Sequence, residues 1–134
     1  SQNKALVPGA YKDPRGTYSA QSPSSITIAW NEDKENTRFE ENLERIITQK
    51  WIAMFPEGCE AWAEQRRTGY PRLFPVRFNH SKDGCIDTET MIRRLNFPGG
   101  LKTENAEQYA ALVEALGGDD NAGSRLWWDT GINW

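Results

Sequence analysis

The sequence is poor in the residues that usually carry catalysis or metal binding. Its 134 residues contain one histidine, His80, and two cysteines, Cys59 and Cys85. A multi-histidine metal site is therefore excluded. A Ser/His/Asp triad would depend on a single histidine in a polar loop without a triad motif, so we interpret His80 as a surface residue. Gly99-Gly100 and Gly117-Gly118 lack the Lys-Ser/Thr of a phosphate-binding loop, and no cofactor is indicated.

Long apolar runs and strong charge of one sign are also missing. Hydrophobic residues make up 37% of the chain, and the mean hydropathy is −0.76. The core must therefore be small, and the six tryptophans and five phenylalanines must supply much of it. No apolar run is long enough to span a membrane, and no lipid-attachment cysteine lies near Ser1. With a net charge of −3 and interspersed basic residues, nucleic acid is not an expected partner.

Two helical patterns meet at Phe55-Pro56 in the segment 50–73. Proline disfavours helical geometry in the residue before it but fits the first turn of a new helix, so a helix, a sharp corner and a second helix are predicted. The second helix places Cys59, Trp62, Ala63 and Arg66 on one stripe. Gly69 is predicted to end it with a positive φ.

The first helix is predicted to start at Thr37, where Thr37-Arg-Phe-Glu40 has the pattern of a capping box. Apolar residues then recur at steps of three and four, which indicates one buried face with Glu41, Glu44, Arg45 and Gln49 largely outside it. The members of that face are Phe39, Leu43, Ile46, Ile47, Lys50, Trp51 and Met54.

The rest of the chain carries weaker patterns. Residues 1–36 are expected to be irregular, with strand character only in Ile26-Thr-Ile-Ala-Trp30. Alternation over 75–78 and the Asp83-Gly84 pair suggest a hairpin that returns through Cys85-Ile86. A last helix is predicted from the Asn105 cap to Gly117, followed by an irregular aromatic end over 124–134.

Three blocks of sequence resemble one known family. Ile46-Ile-Thr-Gln-Lys-Trp-Ile-Ala-Met-Phe-Pro, followed by Glu60-Ala-Trp-Ala-Glu and Arg66-Arg-Thr-Gly-Tyr-Pro, is similar to the C-terminal part of SusD/RagB outer-membrane proteins of Bacteroidetes. Arg93-Arg-Leu-Asn-Phe-Pro and Leu126-Trp-Trp-Asp129 resemble two later blocks in the same order. The residues that match the family motif are Trp51, Phe55, Pro56, Trp62, Arg66, Arg67, Gly69, Arg93, Arg94, Trp127, Trp128 and Asp129.

This resemblance implies a mainly α-helical fold and a non-enzymatic, cell-surface glycan-binding protein. Such proteins are lipid-anchored at the outer membrane and pass oligosaccharides to a TonB-dependent, SusC-like transporter. Members of the family are longer, so we expect this chain to be a C-terminal fragment whose N-terminal helical-repeat half, lipid anchor and export signal lie upstream. Residues 1–36 would then be a connector and residues 37–134 the SusD/RagB-like C-terminal region. The alternative is a purely structural segment that contacts other parts of the assembly but no ligand.

The resemblance assigns no glycan contact residue by residue. Exposed aromatic rings are the candidates, because flat rings bind the apolar side of a pyranose, and we select Tyr11, Tyr18, Trp30 and Trp134. Trp127 and Trp128 could bind a sugar in the same way. Because the core is small, however, at least one of the two is expected to be buried in it.

A carbohydrate-active enzyme is the remaining alternative. Glu57, Glu60 and Glu64 share one side of a helix, and glycosidases use two carboxylates. Glycosidase carboxylates flank the sugar from opposite sides, however, so we favour a role near the helix N-terminus or in solvent. Arg66-Arg67 and Arg93-Arg94 could contact anionic ligands, but we favour a structural role in which some of these guanidiniums bind carboxylates and helix C-terminal carbonyls of the chain itself.

Cys59 and Cys85 could form a disulfide in an exported protein or remain free thiols. We favour a packed Cys59 thiol, because Cys59 shares its stripe with Trp62 and cysteine behaves as a small hydrophobe.

Overall fold

The computed structural model describes residues 6–32, 34–81, 86–88 and 90–131. Its described residues form four helices and one short two-stranded sheet, which confirms the predicted mainly helical fold. The chain divides into two compact units, one made by residues 1–74 and 131–134 and the other by residues 75–130. The prediction of a connector over 1–36 and a C-terminal region over 37–134 stays a prediction.

Two helices and the corner between them dominate the first unit. Helix α1 spans Phe39–Ala53, helix α2 spans Gly58–Thr68, and the two contact each other. Pro56 lies in the turn before α2 and follows a cis peptide bond, rather than occupying the first turn of the helix. Gly69 ends α2 with φ at 77°, as predicted, because glycine adopts this left-handed conformation without a Cβ clash.

The buried face of α1 differs from the prediction. Asn42, Glu44 and Arg45 are buried together with Ile47, whereas Ile46 is 52% exposed. Asn42 and Arg45 are buried because the segment before the helix folds over them and accepts hydrogen bonds from their side chains. Glu44 lies instead against Arg72, which follows α2. The helix begins at Phe39 with Arg38 in the N-cap position, one residue after the predicted cap Thr37.

A small hairpin occupies the N-terminal part of the first unit. Strands β1, Tyr11–Lys12, and β2, Ser19–Ala20, pair antiparallel with Tyr11 opposite Ala20. The described residues 26–30, which have strand-like character in the sequence, form no strand, and the hairpin lies instead within a region that was expected to be irregular. Within residues 26–30 the amide of Ile28 donates to the carbonyl of Leu6 at 3.2 Å and the carbonyl of Thr27 accepts from an arginine side chain of α1.

The second unit contains helix α3, Leu101–Glu104, and helix α4, Ala106–Leu116. Asn105 caps α4 by accepting from the amide of Gln108 at 3.0 Å, and Gly117 ends it with φ at 71°, as predicted. The short α3 was not predicted. The described residues of the predicted hairpin, 75–81 and Ile86, include no strand, so that prediction was wrong there, and its turn at Asp83-Gly84 lies outside the described residues together with Cys85.

Candidate functional site

The turn of the hairpin brings two of the candidate aromatic residues together. The amide of Asp13 donates to the carbonyl of Tyr18 at 2.9 Å, and the amide of Gly16 donates to the carbonyl of Asp13 at 2.8 Å. Asp13 Oδ2 also accepts from the hydroxyl of Thr17 at 2.5 Å and from its amide at 3.2 Å. The side-chain hydrogen bond from Thr17 is the main reason why the pKa of Asp13 lies below its usual value. With the turn closed in this way, the ring centroids of Tyr11 and Tyr18 lie 5.9 Å apart.

A third ring, Phe74, joins this pair from the end of the first unit. The Phe74 ring centroid lies 6.0 Å from that of Tyr11, with an angle of 55° between the rings. We call Tyr11, Tyr18 and Phe74 the aromatic cluster. Sequence reasoning did not find Phe74, because the contact joins residues far apart in the chain and no local pattern marks it.

Two contacts hold the segment before Phe74 against α1. The hydroxyl of Tyr70 donates to Glu40 Oε2 at 2.7 Å, and Arg72 Nε lies 3.5 Å from Glu44 Oε2. Burial of the Tyr70 ring and its bond to Glu40 raise the pKa of the Tyr70 hydroxyl. The segment that leaves α2 is thereby fixed to α1, and Phe74 is positioned by contacts far from its own ring.

The aromatic cluster is open to solvent and has polar neighbours. Tyr11 is 43% exposed and Phe74 is 39% exposed, while Tyr18 is half-buried. The tilted rings present apolar faces, and the tyrosine hydroxyls add groups that donate and accept hydrogen bonds. Such a surface suits a neutral ligand that has both C–H faces and hydroxyl groups, which is the chemistry of a sugar ring.

The structure places Trp30 in a different environment from the aromatic cluster. Trp30 is 59% exposed and lines a groove along α1 with a volume of about 730 Å³. We call it the α1 groove; its apolar lining includes Leu6, Val7, Ile26, Ile28, Trp30 and Ile46. The fourth candidate, Trp134, lies outside the described residues.

The motif residues of the first unit form contacts around α2. Trp62 is half-buried, and the guanidinium of buried Arg66 lies 3.7 Å from the centroid of its ring. Arg67 donates to both oxygens of Glu64, at 3.2 and 2.9 Å. Trp51 is half-buried, whereas Phe55 at the corner is 88% exposed.

The motif residues of the second unit meet at two carboxylates, of which Asp129 is buried and Asp120 is half-buried. Asp129 is 1% exposed and accepts from Arg93 Nε at 2.6 Å, from a second nitrogen of Arg93 and from Arg125 at 2.8 Å. Asp120 accepts from Arg94 at 2.6 Å. Burial acts to raise the pKa of Asp120, but hydrogen bonds from Arg94 and from the Phe97 amide outweigh burial and hold the pKa below its usual value.

The two adjacent tryptophans of this block differ in exposure. Trp127 is 90% exposed, whereas Trp128 is half-buried. The expectation that at least one of the pair is buried is therefore met only in part, by Trp128.

The three glutamates considered for catalysis do not form a general acid and base pair. Glu64 is paired with Arg67 and lies 3.4 Å from Lys50, and the hydrogen bond from Arg67 is the main cause of its lowered pKa. Glu60 lies 3.6 Å from the same lysine, and Glu57 precedes α2 as its N-cap residue. A glycosidase acid needs a raised pKa, so Glu64 has the wrong shift for that role.

His80 also lacks the partners of a catalytic triad in the described structure. It is exposed and lines a cavity of about 280 Å³ together with Ser81 and Asp87. The Ser81 hydroxyl donates to the carbonyl of Ile86 at 3.2 Å, however, and Asp87 Oδ1 accepts from the amide of Thr90 at 2.7 Å. These two hydrogen bonds direct neither the Ser81 hydroxyl nor the Asp87 carboxylate towards the imidazole of His80.

Cys59 is a free and exposed thiol, so the prediction that it packs beside Trp62 was wrong. The stripe on α2 faces solvent at its N-terminal end, where Gly58, Cys59 and Glu60 are all exposed. Its possible disulfide partner, Cys85, lies outside the described residues.

The described residues contain neither a cluster of metal ligands nor a membrane-spanning helix. No group of three or more His, Cys, Asp or Glu side chains in this part of the chain could hold a metal ion. Within the same ranges, no helix has both the length and the apolar character needed to cross a membrane.

Comparison with known proteins gives a consistent family match. A family model described as "Susd and RagB outer membrane lipoprotein" matches residues 2–129. A SusD homologue from Bacteroides thetaiotaomicron is 45% identical with a TM-score of 0.83; the match covers 98% of this chain and 28% of that one. A chitin-binding SusD homologue from Flavobacterium johnsoniae is 45% identical with a TM-score of 0.78, over 97% of this chain and 26% of that one.

A SusD homologue from Bacteroides vulgatus is 48% identical with a TM-score of 0.69, and the match covers 98% of this chain and 26% of that chain. The chain therefore spans between 26% and 28% of the length of these three structures. Among curated proteins, none matches this chain significantly.

Proposed function

Since this chain belongs to the SusD/RagB family of outer-membrane lipoproteins, we propose that it forms part of a cell-surface protein that binds an oligosaccharide and delivers it to a TonB-dependent, SusC-like transporter. The binding is non-covalent and no bond in the sugar is broken. The protein is anchored at the outer membrane by a lipid attached outside these 134 residues. Its partners are the oligosaccharide, the transporter and the N-terminal half that the resemblance implies.

The observation that carries the glycan-binding part of this proposal is the aromatic cluster. Tyr11 and Phe74 expose much of their rings, and the neighbouring turn is closed by hydrogen bonds at Asp13. A rigid, exposed set of rings binds with little loss of side-chain entropy, because the rings are already ordered before the ligand arrives. We propose that the C–H face of a pyranose lies on Tyr11, with the Tyr18 hydroxyl at its edge.

The chitin-binding relative suggests the first sugars to test. Chitin is a β-linked polymer of N-acetylglucosamine, and its neutral rings match a site whose contacts are apolar faces and hydroxyl groups. We therefore propose N-acetylglucosamine oligosaccharides as the leading ligand class, with neutral glucans and xylans as the comparison.

Calorimetric titration with a panel of oligosaccharides tests this proposal. Tyr11→Ala is expected to weaken binding about tenfold, because it removes the largest exposed ring of the cluster. Tyr11→Phe is the matched variant that keeps the ring and loses only the hydroxyl. Phe78→Ala, an exposed aromatic residue outside the cluster, is the control and is expected to leave affinity unchanged.

Three outcomes would contradict parts of the proposal. Equal affinity of the Tyr11→Ala and Phe78→Ala proteins would place the sugar away from the cluster. Binding that survives substitution of Tyr11, Tyr18, Trp30 and Trp134 would place the site outside this chain and would favour the purely structural alternative. Release of reducing sugar during the titration would contradict a binding protein and favour an enzyme.

A further inference from the structure

The three rings of the aromatic cluster are not chemically alike. Tyr11 and Tyr18 each carry a hydroxyl group that donates and accepts hydrogen bonds, whereas the Phe74 ring has no polar atom. Phe74 is nevertheless 39% exposed, and its centroid lies 6.0 Å from that of Tyr11, with an angle of 55° between the rings. An exposed and entirely apolar ring therefore stands beside the ring on which the sugar is proposed to lie.

A pyranose stacked on Tyr11 would place one of its substituents next to Phe74. A pyranose is about as wide as a tyrosine ring, so a neighbouring ring whose centroid is 6.0 Å away meets the exocyclic groups of the sugar. In glucose these groups carry hydroxyls, which would lose hydration against an apolar ring without gaining a hydrogen bond. The N-acetyl group of N-acetylglucosamine ends in a methyl group, which gains free energy when an aromatic ring removes it from water.

The segment that leaves α2 holds Phe74 in this place. Tyr70 is 6% exposed, and its hydroxyl donates to Glu40 Oε2 on α1 at 2.7 Å. The amide of Tyr70 also donates to the hydroxyl of Thr68 at 3.1 Å. The guanidinium of Arg72 lies 5.7 Å from the centroid of the Tyr70 ring. Because the segment is anchored on both its backbone and its side chains, Phe74 is ordered before a ligand arrives.

We propose that Phe74, positioned by Tyr70, determines specificity within the aromatic cluster by selecting N-acetylated sugars over the corresponding unsubstituted sugars. This inference rests on the proposed sugar site at Tyr11 and adds the chemical group that the site selects. Tyr11 and Tyr18 contact parts that both classes of sugar share, so they contribute affinity without selecting between them. The preference therefore depends on the one ring that lacks a hydroxyl.

Calorimetry with two matched ligands tests the inference. The trisaccharides of N-acetylglucosamine and of glucose with the same β linkage differ in an acetamido group or a hydroxyl group on each ring. The parent protein is expected to bind the N-acetylated trisaccharide about tenfold more tightly, the usual discrimination for one methyl group in an apolar contact. Phe74→Ala is expected to reduce this ratio of affinities to about one, and Phe74→Leu, which keeps an apolar surface, should retain part of it.

The same ratio tests the positioning role of Tyr70. Tyr70→Phe keeps the ring but loses the hydrogen bond to Glu40, and it is expected to lower the ratio about threefold because Phe74 is less well held. Glu40→Gln keeps an acceptor oxygen for the Tyr70 hydroxyl and should preserve the ratio. Arg67→Ala, which breaks an exposed pair with Glu64 on α2, is the control. A variant that only destabilises the fold weakens the binding of both ligands equally and leaves the ratio unchanged.

Saturation-transfer difference NMR locates the methyl group in the complex. When the aromatic protons of the protein are irradiated, the acetyl methyl protons of the bound trisaccharide are expected to receive saturation. This signal should fall severalfold in Phe74→Ala, while the signal of the sugar-ring protons above Tyr11 persists. Phe78→Ala is the control, because Phe78 is 70% exposed and lies outside the aromatic cluster.

The results separate this inference from the proposed function. If Tyr11→Ala weakens the binding of both trisaccharides but Phe74→Ala leaves their ratio unchanged, this inference alone is overturned. A parent protein that binds the two trisaccharides equally would overturn it in the same way. If Tyr11→Ala leaves both affinities unchanged, or if neither trisaccharide binds, the proposed sugar site is overturned together with the inference.

Discussion

Replacing Asp129 with asparagine is expected to destabilise the second unit by about 3 kcal/mol. Asp129 is 1% exposed and neutralises Arg93, whose side chain is 11% exposed. Asparagine keeps the shape of the side chain but removes the charge and places an N–H₂ group against guanidinium nitrogens. Breaking one partner of a buried ion pair costs about 3–5 kcal/mol, since the other charge stays buried.

The matched control is the other arginine on the same carboxylate. Arg125 donates to Asp129 at 2.8 Å, but its side chain is 54% exposed. Exposed ion pairs contribute up to about 1 kcal/mol, so Arg125→Ala is expected to cost less than that. Arg93→Ala is expected to match Asp129→Asn, because it leaves the buried carboxylate with only its exposed partner.

Urea unfolding followed by circular dichroism gives the free energies, and amide hydrogen exchange gives a local measure. The amides of Arg93 and Arg94 both donate to the carbonyl of Ala122, at 2.7 and 3.2 Å. Both should exchange faster in Asp129→Asn. The reasoning would be refuted by an Asp129→Asn protein within about 1 kcal/mol of the parent, or by an Arg125→Ala protein that loses as much stability as Arg93→Ala.

Three further predictions concern α2 and its C-cap. Gly69→Ala should cost about 1 kcal/mol, because its φ of 77° is unfavourable for alanine. Gly58→Ala should instead stabilise the protein by about 0.5 kcal/mol, since a Cβ there meets open space. A urea midpoint equal to that of the parent protein would contradict the prediction for either glycine variant. The pKa of Glu64 is lowered in the folded protein, mainly by the hydrogen bond from Arg67. The charged Glu64 side chain therefore contributes its full stabilisation above the pKa of an unfolded glutamate, about 4.3, and this contribution is lost as the pH falls through the pKa in the folded state. The melting-temperature difference between the parent and Glu64→Gln should therefore shrink from pH 7 to pH 3; a constant difference would mean that the charge is not responsible.

Helices α2 and α4 could be predicted because their end signals are local. Gly69 and Gly117 have the positive φ that only glycine adopts readily, and Asn105 binds an amide three residues later. The buried face of α1 could not be predicted from periodicity. Arg45 and Asn42 are buried through contacts with residues 11 or more positions earlier, and periodicity carries no information about such partners.

The aromatic cluster was predictable only in part. Asp13-Pro-Arg-Gly16 contains turn-forming residues, and reading it as a hairpin turn would have placed Tyr11 beside Tyr18. Phe74 carries no such signal, because contacts at Tyr70 and Arg72 determine its position. The separation of Trp30 from the candidate sugar surface likewise follows from how residues 27–31 lie on α1.

The hydrogen bonds of Arg45 have a consequence for shortening the protein. A version that starts at residue 37, where the sequence suggests a natural boundary, would remove Thr27 and Asn31. Arg45 would lose two of its acceptors and the Asn42 amide would lose the carbonyl that it binds. Water would then reach the face of α1 that residues 27–31 cover in the longer chain. Residues 27–31 therefore belong to the smallest version of this unit that can be expected to stay folded.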